Sequence, residues 1–401
     1  MQFPSLQIPD DVSPELRLLL LCAVAQGMWE EAADAAEGVA DWRGFFELAR
    51  GHRLLAAVHH AFSVLAGRAL LPAGVPDWLT DELRLCALSL AARSTSRTQA
   101  LCMFQHLLGA NGVTAVAIKG PALGLQAFGD VARRQFDDLD CIVPKGSMLR
   151  VNDILTGAGY VRARPAGDCS LRAYAATRQE WVFGAPGTGV LFDLKELPVA
   201  HCTARPQLTD FILGSTVRLP VRHERSILAA SPEPMLLVLC LHGVHELWPK
   251  LSQVADIVGL VAGTEQLDWE KVREQAERLG RLRALLVGLG LARQLGNAAA
   301  PPWVEEKIAA DRPCRELIEQ ATHKLFAEPA TERPPLHRER YELKTLQRLR
   351  DKARFVVRQT FVPGHNDLEK FPRAARVFPL LYLLRPCRRL ALAVRMGLGR
   401  G

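Results

Sequence analysis

At 401 residues, with 49% hydrophobic and 23% charged residues and a formal net charge of +7, the chain can bury one large core or two to three small ones. Its nine cysteines form no C-x-x-C pair and no Cys/His cluster, which argues against a zinc site and a disulfide framework and fits a reducing compartment. The N-terminal MQFPSLQIPDDVSPEL lacks the basic and apolar regions of a secretory signal, no apolar run is long enough to span a bilayer, and a cytoplasmic location is expected.

The first hundred residues read as helical. Ser13-Pro14-Glu15 is a cap-and-first-turn signal ahead of Leu16 to Val24. Helical apolar spacing continues through Trp42 to Leu65 and Leu83 to Leu108, with Pro72, Gly74 and Pro76 punctuating between them. Nothing there carries a catalytic cluster, so residues 1–108 are expected to form an N-terminal helical region.

The character changes in residues 109–230. Val113 to Ile118 is a short β-branched apolar run suited to a buried strand; Gly120 ends it, and Pro121 stands where a first helical residue is well tolerated. Leu139 to Val143 reads as a second strand and Ser147 to Leu155 as a helix closed by Gly157 and Gly159. Trp181 to Phe183 and Val190 to Leu194 flank Ala185-Pro186-Gly187-Thr188-Gly189 as a hairpin. The order strand, helix, strand, helix, antiparallel pair predicts a small mixed sheet. Helices return from about Ser231, over Pro234 to Trp248, Leu251 to Val261, Trp269 to Leu279 and Arg281 to Leu295. Residues 231–332 are therefore expected to pack as a helical region on the core. Beyond Pro334-Pro335, residues 333–401 hold 17 Lys+Arg against 5 Asp+Glu, while residues 1–332 hold 33 against 38. The basic excess is confined to a C-terminal segment, where a solvated helical surface ranks ahead of contact with nucleic acid or a peripheral membrane contact.

The chemistry is concentrated in the middle of the chain. Side chains two apart on a strand share a face, so Asp138 and Asp140 lie on one face roughly 7 Å apart. Paired carboxylates attract divalent cations, and a cation pair near a glycine turn is a site for a triphosphate, which points to metal-dependent nucleotidyl transfer with Mg²⁺ or Mn²⁺. Asp137 falls on the opposite face. Asp193, embedded in Val190-Leu191-Phe192-Asp193-Leu194, is the third candidate acid, since an unpaired charge is costly among apolar neighbours. Lys119 and Gly120 are candidate phosphate ligands: glycine permits close backbone approach and a helix N-terminus favours an anion. Arg134, four residues before Asp138, is a candidate partner for the triphosphate or the carboxylates. His242 and His245 share a helix face with no third ligand at a fitting spacing, so a packing role outranks metal binding.

Together these residues resemble an uncharacterised bacterial nucleotidyltransferase family of the DNA polymerase β superfamily. The resemblance is carried by Lys119, Gly120 and Leu123, by Arg134 four residues ahead of Asp138-Leu139-Asp140, by Gly129-Asp130, and by Asp193 as third acid. His242, His245, Trp248 and Asp256 match the family's later helix, and Leu381, Tyr382, Leu384, Arg385 and Pro386 its closing motif. Two departures stand out: Gly120-Pro121 replaces the superfamily's Gly-Ser, and Lys195 stands two residues after the third acid, where the family often has His. The resemblance implies an α+β fold, a small mixed-sheet nucleotidyltransferase core flanked by helical regions. It also implies transfer of a nucleoside monophosphate from an NTP to a hydroxyl-bearing small-molecule, peptide or protein acceptor, with Asp138, Asp140 and Asp193 as catalytic and metal-binding residues. The rival readings are a catalytically silent nucleotide-binding scaffold of the same fold, a toxin-type enzyme, and an enzyme acting on RNA ends.

Overall fold

The computed structural model describes residues 12–25, 27–165, 171–177, 180–198, 206–221, 225–326, 335–362, 382–383 and 385–387. Residues 1–11, Pro334, and Leu381 and Leu384 of the closing motif lie outside them. The fold is α+β, and the chain divides into two compact units. One comprises residues 1–99, 119–137 and 230–346; the other comprises 100–118, 138–229 and 347–401.

The first unit is helical. Ser13 opens the helix Pro14–Ala23 by accepting from the Leu16 N–H at 3.2 Å, with Pro14 in the first turn. The apolar pattern predicted through Trp42 to Leu65 divides into two helices, Trp42–Gly51 and Leu55–Gly67, because Arg53 between them takes a left-handed φ of +60°. A helix over Trp29–Glu37, rich in alanine, adds to the predicted set. The four helices predicted after Ser231 are found at Pro232–Glu246, Leu251–Ala262, Trp269–Leu279 and Leu282–Gly296. The last is buried along nearly its whole length and packs on the helices Pro232–Glu246, Leu251–Ala262 and Arg312–Phe326. Among the described residues no helix is long and apolar enough to cross a membrane.

The second unit is built on a mixed sheet of seven strands: β1 (Val116–Ala117), β2 (Asp138–Ile142), β3 (Val161–Arg164), β4 (Trp181–Gly184), β5 (Leu191–Lys195), β6 (Thr216–Pro220) and β7 (Ser226–Ala230). Their order across the sheet is β3-β4-β5-β2-β1-β7-β6. Strand β2 runs parallel to β5 and antiparallel to β1, while β4 and β5 form the predicted hairpin. The strand predicted over Val113 to Ile118 pairs only at Val116 and Ala117. Beside it the Gln105 amide donates to the carbonyls of Ala115 (2.9 Å) and Leu228 (2.7 Å) and accepts from the Leu228 N–H, so a side chain completes what the short ladder leaves open.

Candidate active site

Alternation along β5 decides which way its acid points. Phe192 and Leu194 are fully buried, and the Phe192 ring stacks on Phe104 with centroids 4.2 Å apart. Asp193 and Lys195 therefore project from the other face. Strands β2 and β5 pair in register with Asp140 opposite Asp193 and Ile142 opposite Lys195, so Asp138, Asp140, Asp193 and Lys195 share one face of two neighbouring parallel strands. Asp138 is exposed at the strand's start, Asp140 is 6% exposed, and Asp193 is half-buried.

Two residues that the sequence reading did not single out join this face. Glu180 immediately precedes β4, two positions before Val182, which stands opposite Asp193; Arg164 on β3 stands opposite Val182. The Lys195 ammonium donates to Asp140 Oδ1 and lies 2.9 Å from Glu180, and Arg164 reaches Glu180 at 3.1 Å. The hairpin register would have placed Glu180 on this face, but nothing in the spacing of a lone glutamate ahead of a tryptophan announces the pairing.

Asp193 resists ionisation. Burial raises the Asp193 carboxyl to about 7, with Glu180, Asp140 and Asp138 adding to the rise and Lys195 opposing it. Burial disfavours the charge on Lys195, but Asp140, Glu180 and Asp193 outweigh it and hold its pKa above the usual lysine range. Hard carboxylate oxygens are a donor set suited to Mg²⁺ or Mn²⁺. Among the described residues no three His, Cys, Asp or Glu side chains are gathered as a metal cluster. The arrangement is that of an ion-paired face, with Asp140 engaged by Lys195.

The other candidate residues belong to the first unit. Gly120 opens the helix Gly120–Phe128 with φ of +54°, a left-handed conformation natural to glycine, and Lys119 ahead of it is 9% exposed. Arg134 makes a two-pronged pair with Asp256, Nε to Oδ1 at 2.7 Å and Nη2 to Oδ2 at 2.8 Å. Two residues singled out separately, 122 positions apart, thus meet. Asp137 is engaged by Arg53 at 2.5 Å. His245 pairs through Nδ1 with the buried Glu342, in keeping with a packing role.

Residues 38–297 match the model of a family described as uncharacterised nucleotidyltransferase. The chain belongs to that family. No curated protein matches it. A solved structure, an antigenic nucleotidyltransferase-like protein from Paracoccidioides brasiliensis, is similar at 17% identity over 52% of this chain and 96% of that one, with a TM-score of 0.35.

Proposed function

We propose that this chain is a metal-dependent nucleotidyltransferase of the DNA polymerase β superfamily, moving a nucleoside monophosphate from an NTP, ATP first, to a hydroxyl-bearing acceptor with release of pyrophosphate. The observation that carries this reading is the register of β2 and β5, which sets Asp140 opposite Asp193 with Asp138 on the same face. Asp138, Asp140 and Asp193 would hold Mg²⁺ or Mn²⁺. A bound divalent ion supplies charge neutralisation at the phosphates. The protein's own part is positioning and proton handling. Asp193, beside the pair but less buried than Asp140, is the carboxylate assigned to accept the acceptor's hydroxyl proton. At Gly120 the left-handed turn opens a helix whose N-terminal end favours an anion, with Lys119 adjacent and Pro121 contributing no N–H. Arg134, held by Asp256, is assigned to phosphate. The acceptor class is a small hydroxylated metabolite or a peptide or protein side chain.

The test is incubation of the protein with labelled ATP, GTP, CTP and UTP and a cell extract. Label transfer that needs Mg²⁺ or Mn²⁺ and falls at least about a hundredfold in Asp138→Ala and in Asp140→Ala is the expected outcome. Transfer that persists in both variants rejects the assigned site. One observation favours a second reading, a catalytically silent nucleotide-binding protein: the Lys195 ammonium already rests on Asp140. Calorimetry separates the two, because that reading predicts ATP binding without turnover.

A further inference from the structure

A chain of alternating charge crosses four adjacent strands of the sheet. Arg164 on β3 pairs with Glu180 at the head of β4, Glu180 with Lys195 on β5, and Lys195 with Asp140 on β2. The strand register fixes Arg164, Lys195 and Asp140, and Glu180 stands one residue ahead of β4. Asp138 and Asp193 lie on the same face of β2 and β5.

We infer that Lys195 is a resident counter-cation of Asp140, and that a divalent metal ion gains Asp140 by displacing the Lys195 ammonium onto Glu180. The inference rests on the metal-binding reading proposed above. Lys195 touches both acids, so release from Asp140 leaves it still paired with Glu180. A divalent ion then joins the face without the lysine leaving it. The cost of parting the ammonium from Asp140 is taken from the metal's affinity, which makes Lys195 a positioning residue that sets how much metal the protein requires.

The experiment is a Mn²⁺ titration of the full chain without nucleotide, followed by electron paramagnetic resonance, for the wild type, Lys195→Met, Lys195→Gln and Lys195→Arg, with folding checked by circular dichroism. Removing the ammonium is expected to tighten Mn²⁺ binding about tenfold or more in Lys195→Met and Lys195→Gln, while Lys195→Arg, which keeps the charge, stays within about threefold of the wild type. Equal, measurable affinity in the wild type and both neutral variants overturns the counter-cation role and leaves the metal site standing. No Mn²⁺ binding in any variant overturns the metal site and the displacement with it. A second readout needs no neutral substitution: the Lys195 ammonium nitrogen resonance, assigned by its loss in Lys195→Arg, is expected to shift on addition of Mg²⁺. An unchanged resonance at saturating Mg²⁺ overturns the displacement.

Discussion

Asp193 is an acid in surroundings that oppose its charge. Burial is the first cause, and the neighbouring carboxylates of Glu180, Asp140 and Asp138 add to it, so its pKa in the folded protein stands at about 7 against 3.8 ordinarily. The sign of the resulting pH dependence follows from proton counting. Between about pH 4 and 7 the folded state keeps a proton on Asp193 that the unfolded state has released, so stability falls as pH rises through this window. Asp193→Asn removes that dependence. Metal-free Asp193→Asn is expected to be more stable than the wild type at pH 8 by roughly 1–3 kcal/mol, and about equal to it near pH 4. Urea unfolding at the two pH values measures this, and a variant less stable than the wild type at pH 8 would show that the carboxylate is compensated by Lys195 more fully than the burial implies.

Helix packing in the first unit depends on small residues at crossings. In the helix Leu282–Gly296, a Cβ at Gly288 would meet Cys240 Sγ at 2.4 Å and Cys240 Cβ at 3.0 Å, with Ile257 Cδ1 at 3.2 Å. Cys240 and Ile257 come from two other helices of the same unit and are fully buried, so neither has open space to move into. Gly288→Ala is expected to destabilise by about 1–3 kcal/mol, although alanine is the better helix former, and thermal unfolding checks the sign. Such crossings are illegible in a single sequence, because the partner is set by tertiary packing. The long helices and the β4–β5 hairpin were legible, since their apolar spacing and the Gly187 and Gly189 turn are local signals. The strands that escaped notice did so for two reasons. β3 and β6 are the two edges of the sheet and show no fully buried position, and the alternation in VRAR and TVRLP is too short and too polar to stand out from a loop. β7, Ser-Ile-Leu-Ala-Ala, is buried but small-residued, and its parallel partner β1 is more than a hundred positions away. At the site, the spacing of Asp138 and Asp140 was readable from strand periodicity alone. Whether Asp193 faced them, and that Lys195 and Glu180 would too, depended on a strand register that only pairing defines.

Over the whole molecule the charge is lopsided, +12 in residues 333–401 and −5 in residues 1–332. A basic segment of this size attracts any polyphosphate at low ionic strength, which makes weak RNA binding an expected property whatever the acceptor. The question is whether that attraction delivers a substrate. Aromatic residues make up only 6% of the chain, and the basic segment has no ladder of rings on which unpaired bases could stack. Its affinity for RNA should then come almost entirely from phosphate contacts. Fluorescence anisotropy with a labelled single-stranded RNA is expected to show affinity falling at least about a hundredfold between roughly 50 and 200 mM salt, with little preference among sequences. On the proposed function, nucleotide transfer to a small or peptide acceptor should lose far less over the same range, since short-range contacts are screened less than a diffuse field. Labelling of RNA 3′ ends that survives at the higher salt would reverse the assignment, because it would require base or end recognition that the charge of the C-terminal segment cannot provide.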